Sequence, residues 1–272
     1  MAFTDWLSSV LLILSIGSFY PQIQRLWLKQ DSSAVSVYYV LFNLIAATEQ
    51  FTIVFFLLVN NTEGGSVFVH TPTATGDWLN LSQMTISLVG FLILFTFTLY
   101  FPGDRLAHKC IALTIYTGFL FTGIIPELAD VITGGPYVKD SDREFAAALL
   151  SGYHIFFVNP VVTIFIVVSF VIQTCRSLQH ASSGMSVQGL GIQAFVFTLL
   201  GVSWLFRIRW PPSNMPSIYK SPILAMYTLV GWAPMDHLLF ALGQAVLCLV
   251  EKRRFRVVQD FAGETEPLLS GH

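Results

Sequence analysis

Seven apolar stretches, at about 5–27, 36–59, 79–101, 109–127, 146–171, 187–207 and 222–250, constrain this chain more than any other feature. Each offers roughly the 20 apolar residues that an α-helix needs to cross ~30 Å of hydrocarbon. A helix suits that medium because it bonds its own backbone where no water is at hand. Polar, turn-forming segments separate the stretches, such as Asn60-Asn61-Thr62-Glu63-Gly64-Gly65, Phe101-Pro102-Gly103-Asp104 and Pro211-Pro212-Ser213-Asn214. An all-α integral membrane protein is expected. Composition agrees, since 11% of the 272 residues are charged, against about 25% in an ordinary soluble domain. A net charge of −2 without a long basic stripe argues against nucleic acid as a partner. Cys110, Cys175 and Cys248 are too scattered for a disulfide framework or a zinc site. The sequence carries no metal cluster, nucleophile–base pair or phosphate loop, so neither an enzyme nor a cofactor is expected. The first stretch lacks a basic leader and reads as a span, not a cleavable signal.

Within this apolar frame, a segment at the end of the first span recurs after the fifth. Ser18-Phe19 aligns with Ser169-Phe170, Gln22 with Gln173 and Arg25 with Arg176. After a one-residue deletion, Ser32-Ser33 and Ser36-Val37 align with Ser182-Ser183 and Ser186-Val187. The repeat links spans 1–3 to spans 5–7 and leaves span 4 as a connector. Two three-helix units in tandem would be inverted; one extra span restores their orientation. The expectation is therefore two parallel repeats in a 3+1+3 bundle, related by an axis along the membrane normal. Its segments are 1–104 for the first repeat, 105–143 for the connector helix and lumenal loop, 144–252 for the second repeat and 253–272 for a cytosolic tail.

Orientation follows from Lys and Arg. A lumenal N-terminus puts nine of them on the cytosolic side (Arg25, Lys29, Arg105, Lys109, Arg176, Lys252, Arg253, Arg254, Arg256) and five opposite (Lys139, Arg143, Arg207, Arg209, Lys220). The positive-inside bias favours that arrangement, with the C-terminus cytosolic. Asn60-Asn61-Thr62 is then a glycosylation sequon on the lumenal side. The tail, expected to be disordered, reads Glu264-Thr-Glu-Pro-Leu268-Leu269, the pattern of an acidic dileucine signal read by a clathrin adaptor.

Pro21 removes a backbone donor near the end of span 1 and clashes with the carbonyl four residues back. It reads as a hinge or as a plain helix terminator, with Gln22 free to bond a released carbonyl or a ligand. In the second copy Ile172 replaces the proline beside Gln173, and Pro160, preceded by Asn159, supplies the kink in span 5 instead.

Intramembrane ionisable groups are stronger pointers, because each costs about 2.5–3.5 kcal/mol or more at mid-bilayer. Asp236 lies near the middle of span 7 and is a candidate proton carrier, the alternative being a structural buried carboxyl. His237 is placed to pair with it or to cap a neighbouring carbonyl. Glu49, about 20 Å along span 2 from its cytosolic end, is a second candidate acid. Asn43 and Gln193 occupy equivalent repeat positions and suit contacts to a small polar solute or polar glue between helices. Asn159 and His154 in span 5 complete the set of polar candidates.

These residues resemble the PQ-loop repeat family, which includes cystinosin and lysosomal or vacuolar amino-acid exporters and is more distantly related to SWEET sugar transporters and the KDEL receptor. Tyr20-Pro21-Gln22-Ile23 followed by Ser32-Ser33-Ala34-Val35-Ser36 carries the resemblance, with a degenerate second copy at Ile172-Gln173. The resemblance covers most of 1–250. It implies proton-coupled export of small solutes, here amino acids, from an acidic organelle by alternating access. It maps the hinge onto Pro21-Gln22 and proton coupling onto Asp236, at a vacuolar, lysosomal or endosomal membrane. The alternative is a non-transporting receptor or cargo-sorting protein of the KDEL-receptor type.

Overall fold

The computed structural model describes residues 2–60, 69–70, 72–134, 141–179, 185–207, 227 and 232–269. Outside them lie Asn61 and Thr62 of the sequon, Ser182-Ser183 of the second motif, the basic residues Lys139, Arg209 and Lys220, and most of 222–231. All regular structure among the described residues is helical: α1 (Ala2–Lys29), α2 (Val37–Phe55), α3 (Thr75–Tyr100), α4 (Leu106–Thr122), α5 (Ile124–Gly134), α6 (Ser141–Tyr153), α7 (Asn159–Gln179), α8 (Val187–Arg207) and α9 (Trp232–Leu269). Among the described residues, seven helical spans are long and apolar enough to cross a membrane: Asp5–Lys29, Val37–Asn60, Thr75–Tyr100, Leu106–Ile132, Ala148–Gln179, Val187–Arg207 and Trp232–Phe255.

Local chemistry explains the interruptions. Span 4 breaks into α4 and α5 at Gly123. Three residues on, Pro126 offers no N–H to the preceding turn, which is the usual cause of such a break. In span 5 a π-helical turn, His154–Val158, precedes Asn159-Pro160, and the Asn159 N–H donates to the His154 carbonyl. A second π turn, Phe56–Asn60, ends span 2. Pro21, by contrast, does not terminate α1. The helix runs through it for two more turns and stops only at Gln30, whose φ of 48° is left-handed. The C-terminal segment also departs from the expected disordered tail. The backbone of α9 stays helical through Leu269, entering the segment through Glu251-Lys252-Arg253-Arg254, residues of high helix propensity.

Packing follows a simple order. α3 lies against both α1 and α2, and α9 against both α7 and α8. These two triplets meet through α2 on α7 and through α1 on α8, while α4 lies on the outside of α2. The polarity is inverted relative to a soluble domain. Gln22, Asn43, Glu49, Gln50, Gln173, Gln193, Asp236 and Gln244 are buried, while Ile13, Phe195, Phe206 and Leu242 are exposed. That distribution suits a bundle surrounded by lipid.

Two glycines permit close approaches between helices. A Cβ on Gly90 of α3 would stand 2.7 Å from the Phe19 ring, and one on Gly243 of α9 would stand 2.3 Å from the Phe170 ring. Phe19 and Phe170 are the aligned phenylalanines of the two motif copies, so each packs against a glycine in the third helix of its own triplet. Gly243→Ala should therefore destabilise the solubilised protein by about 1–3 kcal/mol. Gly118→Ala, where no atom lies within 4 Å, should be neutral or stabilising by up to about 1 kcal/mol. Thermal unfolding of the two variants in detergent checks the difference in sign.

Candidate functional site

The N-termini of α2 and α8 are buried, so their first N–H groups need partners from elsewhere in the fold. Glutamine side chains from the opposite triplet supply them. Gln173 Oε1 accepts from the Ser36 N–H at 2.9 Å, and Gln22 Oε1 accepts from the Ser186 N–H at 2.9 Å. The two glutamines and the two serines are the aligned residues of the repeat. Gln22 is thus engaged with backbone through its Oε1, while its buried Nε2 has no partner. Gln173 Nε2 also donates to the Ala34 carbonyl at 2.9 Å. Asp104 adds a further tie, accepting from the Val37 N–H at 2.9 Å and from Arg176 at 2.6 Å.

From Ser36, positions 43 and 50 fall on one face of α2, each two turns apart. Asn43 donates to Ser169 Oγ at 2.9 Å, and its Oδ1 is left without a partner. Gln50 Nε2 donates to Asp236 Oδ2 at 3.3 Å. Thr163 donates to Asp236 Oδ1 at 2.7 Å and is itself 2.8 Å from the Tyr227 hydroxyl. Asp236 is 1% exposed and forms no salt bridge to a described Lys, Arg or His. His237 does not pair with it. Its Nδ1 lies 2.6 Å from the Ala233 carbonyl, which can only accept, so Nδ1 carries the proton.

These groups surround a small cavity between the triplets. Asn43, Gln50, Ser87, Asp236 and His237 form its polar lining, with Phe91, Phe197 and Phe240 on one side. Its water-accessible space is about 20 Å³, room for one water molecule. An aromatic layer closes it toward the C-terminal end of α9. Phe240 contacts Phe197 at 4.4 Å, Phe91 at 5.3 Å and Phe170 at 5.5 Å between ring centroids. Toward the other end Ile53, Val54, Met84, Trp204 and Trp232 form a second apolar cluster.

Glu49 and His154, expected in different roles, are partners. His154 Nδ1 lies 2.8 Å and 2.9 Å from the two Glu49 oxygens, with both side chains buried. From the Asn43–Ser169 contact, Glu49 is six residues along α2, about 9 Å, whereas His154 is fifteen along span 5, about 22 Å. A straight helix would carry His154 well past Glu49, and the π turn and Pro160, both common causes of a kink, lie between the two contacts. Neither residue lines the central cavity, and neither do Gln193 or Asn159. Gln193 has an unpartnered Nε2, and Asn159, 1% exposed, has no partner on either amide atom. The side chains of Glu264, Leu268 and Leu269 lie outside the described ones.

Gln50, Thr163, Ser87 and Tyr227 were not singled out by sequence reasoning. Gln50 was available as an amide beside Glu49 inside a span. Thr163 carried no signal beyond its place one turn after Asn159. Compared with family models, curated proteins and solved structures, the chain matches none.

Replacing either glutamine by leucine leaves a buried N–H unmet, which costs about 1–3 kcal/mol. Gln22→Leu and Gln173→Leu should each lower stability by that amount. The double variant should lose roughly the sum, because the two bonds sit in separate interfaces. Chemical unfolding in detergent reads both.

Proposed function

We propose that this chain is a multi-pass transporter that moves a small polar solute of the amino-acid class, coupled to protons through Asp236. The observation that carries the reading is the pairing of Asp236 with two neutral donors, Gln50 and Thr163, and with no cationic side chain among the described residues. A carboxyl in that position is held by hydrogen bonds that change with its protonation, not by a fixed counter-charge. The unpartnered Asn43 Oδ1, Gln50 and Asp236 form a mixed acceptor and donor lining of the kind an ammonium-and-carboxylate solute needs.

In this reading α1–α3 and the spans of α7–α9 are the two parallel repeats of a 3+1+3 bundle, with α4 and α5 as connector. The exchanged glutamine contacts and the Phe19–Gly90 and Phe170–Gly243 pairs support that equivalence. The membership proposed is the PQ-loop repeat family, with the N-terminus lumenal, in a vacuolar, lysosomal or endosomal membrane. With one water's space at Asp236 and apolar layers on both sides, the conformation described is occluded. Protonation of Asp236 loosens Gln50 and Thr163, and one triplet rocks against the other to open the cavity to the cytosol. Pro21 in α1 and the bent segment at Pro160 are the hinge candidates.

Proteoliposome transport of a labelled amino-acid panel at two lumenal pH values, wild type against Asp236→Asn, tests this. Wild-type flux should rise with lumenal acidity, and Asp236→Asn should lose that dependence. Equal pH dependence in both removes Asp236 from coupling. Saturable binding without counterflow would favour a receptor instead.

A further inference from the structure

A second and larger hollow lies where the π turn ending span 2 meets α5 and α6. Its water-accessible space is about 230 Å³, against about 20 Å³ beside Asp236. Phe56, Pro126 and Leu150 form apolar walls, and Asn60, Glu127 and Asp130 supply the polar groups. Glu127 and Asp130 stand three residues apart on α5 and so share a face. Asn60 anchors that face. Its Nδ2 donates to Asp130 Oδ2 at 2.8 Å and to the Glu127 carbonyl at 3.2 Å.

This anchoring uses the donor end of Asn60 and leaves its Oδ1 without a partner. Glu127 is 2% exposed, and its Oε2 is also without a hydrogen-bond partner. Among the described residues, no Lys or Arg lines the hollow. Among those same residues, the unpartnered groups at the hollow are therefore both acceptors, Glu127 Oε2 and Asn60 Oδ1. A buried carboxylate is tolerated only when protonated or met by a positive charge. An array of this kind recognises a group rich in N–H donors, and a primary ammonium offers three. The apolar walls suit a short hydrocarbon body. The volume lies below that of drug-sized ligand pockets, about 300–1,000 Å³. A bare metal ion is poorly served, because no group of three His, Cys, Asp or Glu side chains converges among the described residues.

We propose that this hollow is a binding site for a small organic cation, a primary ammonium with a short apolar body, distinct from the cavity at Asp236. Glu127 Oε2 accepts the ammonium, Asn60 Oδ1 takes a further N–H bond, and Phe56, Pro126 and Leu150 enclose the carbon chain. The site does not depend on the transport reading, since it is read from binding alone.

The test uses the full-length protein in nanodiscs and labelled n-butylammonium as probe, measured by scintillation proximity. Saturable binding is expected, displaced by unlabelled n-butylammonium and not by the neutral analogue 1-butanol. Glu127→Gln should weaken binding at least tenfold. Leu150→Trp, which fills the hollow without touching a polar group, should abolish it and decides the matter should Glu127→Gln fail to fold. Binding should persist in Asp236→Asn. No saturable binding to wild type, displacement by 1-butanol at equal concentration, or unchanged affinity in Leu150→Trp overturns the proposal. Loss of binding only in Asp236→Asn also overturns it, by moving the ammonium to the central cavity.

Discussion

Two glutamine side chains, each reaching from one triplet of helices to the first turn of a helix in the other, set the register on which the rest of the bundle depends. Gln173 holds the start of α2 and Gln22 the start of α8. Without water, a buried helix start must find its acceptors within the protein. Once Ser36 is fixed against α7, the two-turn spacing along α2 carries Asn43 to Ser169 and Gln50 to Asp236. Arg176 and Asp104 reinforce the same corner, with Asp104 also accepting from the Val37 N–H.

The polar groups inside the bundle divide by how they are satisfied. Glu49 is met by His154 at two short contacts, an arrangement that a bent span 5 makes possible. Arg207 donates to Asn80 at 2.6 Å and to Gln83 at 2.7 Å, and stands over the Trp204 ring. This arginine ran against the positive-inside count, and its partners give it a packing role between α8 and α3. Asp236 differs from both, being held by neutral donors beside a cavity. In a medium where a lone charge is costly, that difference is the ground for proposing it as the group whose charge changes.

Much of this was legible in the sequence, because the bilayer imposes a length and a composition on every span. The seven spans and the aligned Gln22/Gln173 and Ser36/Ser186 pairs could be read directly. Asp236 stood out as an acid in apolar surroundings. Partners were not legible. Glu49 and His154 meet beside a π turn, and no periodicity foretells a π turn. Asn43 and Gln193 are equivalent in the repeat, yet of the two only Asn43 lines the cavity, which the alignment alone does not foretell. Pro21 illustrates the limit of a local rule. Its missing N–H affects one bond of a long helix, and packing against α8 and α3 carries α1 past it.

The claim most exposed to test is that the two triplets move against each other under control of Asp236. Leu28 and Leu178 are exposed in the last turns of α1 and α7. Spin labels there, in a background with Cys110, Cys175 and Cys248 replaced, report the separation of the two halves by pulsed electron resonance in nanodiscs. A distance distribution that changes between acidic and neutral pH in otherwise native protein, and stays fixed in Asp236→Asn, is expected. One pH-independent distribution in both proteins, or the same pH-dependent change in both, would contradict it.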